Sequence, residues 1–271
     1  MSERFKTRFD DIVAFDRRGS GPAFVFVSGA GPTRATDPIT GRTAELAAAQ
    51  GLTTIVYDRL GRGESRAAGR IGLDRELTAI AGLIGEAGGS AVLCGHSSGC
   101  AIALRAAAVD FNVTGVVLFE APIFQVKGGA AAWMAEVDRR ISAGDLEGGL
   151  AHYMKDMPPE WLESAKKLPI YPQMVANVVS YIADCEALEW AESKPLGELL
   201  NREIPVEALV GRQTSPPMIE TARRIGAEIS GASWKAIEGA NHKWAPDAMA
   251  AELARFTEVQ AHRPARARHD Q

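Results

Sequence analysis

Residues 95–99 read Gly-His-Ser-Ser-Gly, a serine held between two glycines. The apolar run "AVLC" leads into it and the alanine-rich run "CAIALRAAA" follows. Strand, tight turn and helix around Gly-x-Ser-x-Gly make a nucleophile elbow. Such a turn strains the backbone at Ser97. A side chain two positions to either side would clash, which favours glycine at 95 and 99. The Ser97 hydroxyl then projects from the C-terminal edge of a sheet, where open α/β sheets bind ligands. The next helix aims its N-terminus at the same place, with the Ser98 N–H free to stabilise an oxyanion. The chemistry on offer is nucleophilic attack by Ser97, which needs a general base and an acid to orient that base. Of the five histidines, His262 and His269 lie near the C-terminus, His152 lies in a helical block, and His96 points away from the Ser97 hydroxyl. His242 follows the last predicted strand.

The elements that must position these groups alternate along the chain. "RFDDIVAFDRRGSGP" (8–22) predicts a first strand and turn, and "AFVFVSG" (23–29) a doubly covered parallel strand. "TAELAAAQG" (43–51) predicts a helix stopped by glycine, and "LTTIVYDRLGRG" (52–63) a buried strand running into a loop. Helix 73–89, strand 90–97, helix 98–110 and strand 113–122 follow. Residues 123–200 carry three or four helical segments without a convincing buried strand. Strand and loop 204–217, helix 218–231, strand and loop 232–242 and helix 247–260 complete the pattern. One mostly parallel α/β sheet flanked by helices is expected. Its core spans 1–122 and 201–260, with 123–200 inserted as a helical lid and 261–271 as a flexible tail.

Composition sets the outer bounds. The chain has 271 residues and a formal charge of −4, which shows no nucleic-acid footprint. It has no apolar run of membrane-spanning length, so no membrane partner is expected. The N-terminal "MSERFKTRFDD" lacks the apolar stretch of a secretory signal. Cys94, Cys100 and Cys185 are an odd set without metal-like spacing. Cys94 and Cys100 sit among apolar residues and read as buried thiols, which suits a reducing, cytoplasmic setting. No cofactor or metal is implied, and a homodimer is left open. The lid stretch concentrates large side chains, among them Trp133, Trp161 and Trp190. They roof an apolar pocket or glue the lid to the sheet.

At this point the sequence resembles the α/β-hydrolase fold family. The resemblance rests on "GHSSG", "FVFVSGAGP" (24–32), "VYDRLGRGES" (56–65) and "GANHKW" (239–244). It implies that the loop after strand 23–29 supplies a second oxyanion-hole N–H, from Ala30 or Gly29. The family's usual His-Gly-x is Ser28-Gly29-Ala30 here. It also implies His242 as the base. The family's common acid position, the loop after the penultimate strand, holds Arg212-Gln213-Thr214-Ser215 and no carboxylate. A second position used in the family is the end of the strand after the elbow helix, where Glu120 stands. A carboxylate leaving a buried strand needs a partner to offset its desolvation. That partner is either a histidine N–H or an arginine such as Arg212. Asp58 is the next candidate acid. The pairing of "HSSG" with "FEAP" resembles fungal zearalenone lactonases. The activity implied is a serine hydrolase acting on a carboxylic ester or lactone of an apolar small molecule. A Ser97–His242–Glu120 triad would work through an acyl-enzyme. Acyl transfer, C–C cleavage or a small-molecule receptor on the same fold are the alternatives.

Overall fold

The computed structural model describes residues 2–110, 112–124 and 129–261. The stretch 262–271, most of the expected tail, lies outside the described residues together with His262 and His269.

The first half runs β1 (Glu3–Lys6), β2 (Ile12–Arg18), β3 (Ala23–Val27), α1 (Pro38–Ala49), β4 (Thr53–Tyr57), α2 (Leu73–Glu86), β5 (Ala91–His96), α3 (Gly99–Val109) and β6 (Val113–Phe119). Five α-helices follow: α4 (Gly129–Ser142), α5 (Leu146–Tyr153), α6 (Pro159–Ala165), α7 (Tyr171–Asn177) and α8 (Tyr181–Glu192). The chain then makes β7 (Val206–Gln213), α9 (Pro216–Glu228), β8 (Ala232–Ala240), β9 (Lys243–Trp244) and α10 (Pro246–Ala261). No helix among the described residues is long and apolar enough to cross a membrane.

The strands form one nine-stranded sheet in the order β1-β2-β4-β3-β5-β6-β7-β8-β9. Pairings from β4 to β8 are parallel, and those at the two edges are antiparallel. Alternate residues feed opposite faces. Val25, Leu93 and Val116 enter one core and Phe24, Val92 and Val117 the other. Such double burial explains why the central strands are apolar throughout. The chain leaves β3 for β4 on one side and returns to β5 on the other, so the crevice between β3 and β5 is a topological switch point.

Sequence periodicity misses β1 and β9. β1 alternates half-buried with exposed Arg4 and Lys6, a charged edge strand rather than a buried one. β9 has only two residues. Helix α1 starts five residues before the expected 43, because Asp37 caps it through Thr40 N–H (3.0 Å) and Pro38 opens it. All three cysteines are free and buried. Burial pushes the Cys94 thiol up to about 12 and the other two well above the ordinary thiol value.

The β5–α3 turn admits no side chain at either glycine. A Cβ on Gly99 would lie 2.2 Å from the Val27 carbonyl oxygen, and one on Gly95 would lie 2.7 Å from Cys100 Cα. Gly85, near the end of α2, faces open space. Gly99→Ala should cost about 1–3 kcal/mol or more through forced backbone shifts. Gly85→Ala should gain up to about 1 kcal/mol. Urea unfolding of the two variants checks the contrast in sign.

Candidate active site

Three strand ends deliver the candidate residues to one edge of the sheet. Ser97 follows β5 and Glu120 follows β6, each in a left-handed backbone conformation (φ 54° and 49°). Ladder bonds continue up to the strained residues, with Ser97 N–H on the Phe119 carbonyl (3.0 Å) and Glu120 N–H on that of Leu209 (2.9 Å). Asn241 and His242 join β8 to β9, with Ala240 paired to Lys243, and both lie at positive φ (53° and 60°). This is the two-residue hairpin geometry of type I′, which favours Asn first and Gly second. Histidine in the second place is a strained choice. Of the five non-glycine residues at positive φ among those described, four are these. Backbone strain of this kind clusters at functional sites.

His242 Nδ1 donates to Glu120 Oε2 at 2.5 Å. The carboxylate is 2 % exposed and the imidazole side chain 23 %. Glu120 Oε1 accepts the Gly211 N–H at 3.1 Å. The Thr214 hydroxyl donates to the same carboxylate. Burial alone would push Glu120 up. The donors from His242, Thr214 and Gly211 outweigh it and hold the carboxyl below its ordinary value. The end of β7 and the residue after it thus supply donors to Glu120 where the chain lacks a carboxylate of its own.

The alternatives left open by the sequence resolve differently. Arg212 faces exposed Glu238 at 3.7 Å, away from Glu120. Asp58 accepts from the backbone N–H groups of Arg34 (2.8 Å) and Glu64 (2.9 Å) and from the Arg34 side chain, so it ties the loop after β3 to the loop after β4.

His96 turns away from Ser97. Its Nε2 meets the His242 carbonyl oxygen at 2.9 Å, so that nitrogen carries the hydrogen. Its ring packs between those of His242 (4.9 Å) and Trp244 (5.1 Å). Burial, with the His242 ring adding to it, pushes His96 down to about 4.

Ser97 is half-buried, and among the described residues its hydroxyl has no hydrogen bond to His242. Resting catalytic contacts are often long and tighten only with substrate. Gly29 lies against the elbow, where a Cβ would fall 2.8 Å from Ser97 Cβ. The Ala30 N–H donates to the Ser98 hydroxyl (3.2 Å), which itself donates to Asp184 Oδ1 (2.7 Å). The Ser98 N–H has no acceptor among the described residues.

Asp184, on α8, escaped the sequence reading. It is fully buried with Arg59, Arg62 and Glu76. Asp184 accepts from Arg59 (2.6 Å) and Arg62 (3.2 Å), and Glu76 pairs with Arg59 (3.3 Å). Two arginines in "DRLGRG", after a buried strand, were the available signal, since buried guanidinium groups require carboxylates. The large side chains of the inserted helices divide between two roles. Trp133, Tyr153 and Tyr181 stack in series (4.8 and 4.6 Å) inside them. Trp161, on α6, is 43 % exposed and sits 6.4 Å from the His242 ring. Among the described residues no three His, Cys, Asp or Glu side chains gather as a metal site.

Residues 24–256 match the profile of the α/β-hydrolase family. The chain belongs to that family. An α/β-hydrolase from Sphaerobacter thermophilus is 28 % identical, with a TM-score of 0.79, over 94 % of this chain and 100 % of that one. A thermophilic esterase from Thermogutta terrifontis is 18 % identical, with a TM-score of 0.66, over 96 % and 97 %. An enol-lactonase from Burkholderia xenovorans is 16 % identical, with a TM-score of 0.60, over 96 % and 98 %. The last two show the shared α/β-hydrolase fold. A search of curated proteins finds no match.

The half-buried His96, desolvated by the groups packed around its ring, makes stability depend on pH. An unfolded histidine titrates near about 6.5, and His96 in the folded chain near 4. Between those values the unfolded chain gains a proton that the folded chain does not, so stability falls as pH is lowered through the window. Urea unfolding at pH 7.5 and 5.0 should show a smaller loss for His96→Gln than for the parent. Equal losses would remove His96 as the cause.

Proposed function

We propose that this α/β-hydrolase is a serine hydrolase that cleaves a carboxylic ester or lactone of an apolar small molecule. The observation that carries the reading is the Glu120–His242 contact at 2.5 Å. Glu120 accepts a hydrogen bond from Nδ1–H, which leaves Nε2 as the lone-pair nitrogen and so as the base. Ser97 attacks the carbonyl carbon while His242 Nε2 receives its proton. The charge on the tetrahedral oxygen is met by main-chain N–H groups of Ser98 and of the Ser28–Gly31 loop, each worth about 3 kcal/mol in comparable sites. Gly29 allows the loop to approach the elbow, and Ala30 provides the donor on the loop side. Collapse returns the proton from His242 to the leaving oxygen and gives an acyl-Ser97 ester. Water, deprotonated by His242, repeats the sequence and releases the acid.

Glu120 has the features of an orienting acid. It is buried, held by three donors and kept below its ordinary value, so it remains a carboxylate as the imidazolium forms beside it. A receptor on the same fold would have no need of that pairing. An apolar substrate fits Trp161, whose exposed ring lies 6.4 Å from that of His242. We read residues 123–200 as a lid over this site. The esterase and enol-lactonase that share the fold agree with ester or lactone chemistry. Three buried free thiols fit a cytoplasmic setting.

A fluorophosphonate probe read by intact mass tests the nucleophile. One adduct on Ser97 is expected, absent in Ser97→Ala and in His242→Ala. Turnover of p-nitrophenyl butyrate should vanish in Ser97→Ala and fall about a thousandfold or more in Glu120→Gln. Turnover retained by Ser97→Ala would reject the assignment. A competing alcohol added to the assay separates hydrolysis from acyl transfer.

A further inference from the structure

The Ser28–Gly31 loop is held at nearly every peptide. Arg59 donates to the Ser28 carbonyl (3.2 Å), Arg62 to that of Gly29 (2.6 Å), and Asn177 Nδ2 to that of Gly31 (3.2 Å). The Gly29 carbonyl and the Ala30 N–H belong to one trans peptide, so they point in opposite directions. Arg62 takes one end of that peptide and the Ser98 hydroxyl takes the other. A guanidinium on the carbonyl polarises the peptide and strengthens its N–H as a donor.

One side chain governs both anchors. Asp184 binds Arg62 and Arg59, and it accepts the hydrogen of the Ser98 hydroxyl. A carboxylate can only accept, so the Ser98 hydrogen is committed to Asp184 and a lone pair of Ser98 Oγ is left for the Ala30 N–H. Ser180, on the turn before α8, accepts from Arg62 Nε at 2.6 Å and fixes the guanidinium plane. Asn177, Ser180 and Asp184 all come from the helices inserted between β6 and β7.

We propose that Asp184 is a positioning residue for the oxyanion hole, acting through Arg62 on the Gly29–Ala30 peptide and through the Ser98 hydroxyl on its N–H. This rests on the reading of Ser97 as the nucleophile. The inserted helices then complete the catalytic site as well as cover it. In the resting enzyme Ser98 Oγ keeps the Ala30 N–H aligned. When the tetrahedral oxygen forms beside the Ser98 N–H, the Ala30 N–H is shared between that oxygen and Ser98 Oγ, with no search of the backbone needed.

The test uses Ser98→Ala, Ser98→Thr and Asp184→Asn in the full chain. The readouts are the second-order rate of fluorophosphonate labelling and kcat and KM for p-nitrophenyl butyrate. Ser98→Ala should label and turn over about tenfold or more slowly with KM within about twofold of the parent, since the loss is confined to the charged tetrahedral state. Ser98→Thr, which restores the hydroxyl, should recover most of the rate, and Asp184→Asn should follow Ser98→Ala. A trifluoromethyl ketone should lose affinity for Ser98→Ala in step with kcat, while the matching methyl ketone does not. Should Asp184→Asn not fold, Ser98→Ala decides, because it leaves every buried charge paired. A parent that labels, with Ser98→Ala labelling as fast or faster, overturns the proposal. So does a change in KM alone. A parent that does not label at all overturns the Ser97 reading, and this proposal with it.

Discussion

A left-handed backbone is an unfavourable conformation for serine, glutamate, asparagine and histidine, and this protein adopts it at four site residues. Each such residue costs on the order of 1–3 kcal/mol unless its surroundings over-determine it. The surroundings are the central parallel strands. Ladder hydrogen bonds continue through Ser97 and Glu120 themselves, so the strands cannot fray to relieve the turns. The turn at Ser97 is sealed further by Gly95 and Gly99, whose missing side chains let α3 and β3 close around it. Every other feature of the site hangs from these turns, because they aim Ser97, Glu120 and His242 out of one sheet edge.

The second constraint is electrostatic. Arg59, Arg62, Glu76 and Asp184 are fully buried, two cations against two carboxylates. Losing one partner from such a set costs more than the set contributes, because the remaining charges stay dry and uncompensated. Three of these residues lie on the sheet domain and one on α8, so the set works as a lock between the sheet and the inserted helices. Helix α6, which carries the exposed Trp161, is outside that lock. The insertion therefore combines a fixed part beneath the site with a more solvated part above His242.

The sequence showed the architecture because burial writes itself into local patterns. Doubly covered strands read as apolar runs, helices as periodic ones, and the elbow as glycines at fixed spacing. Edge strands escape such reading: β1 is charged and half-exposed, and β9 is two residues long. At the site, Glu120 stood out because a carboxylate ending a buried strand demands a partner. Whether that partner was His242 or Arg212 depended on which loop crosses the sheet edge, a tertiary fact. Asp184 was invisible for the same reason. An aspartate within "YIADCEAL" looks like the solvent side of a helix until α8 is laid across α3 and the "DRLGRG" loop.

The three buried cysteines give the molecule two chemically separate faces. Thiols react as thiolates, and here burial both raises their pKa and removes access. In the native state thiol-directed electrophiles find no cysteine, while Ser97 at the elbow stays half-exposed. Thiol modification therefore counts only molecules that have opened. Followed over time, the appearance of alkylated cysteine is a clock for unfolding that leaves the Ser97 edge of the sheet untouched.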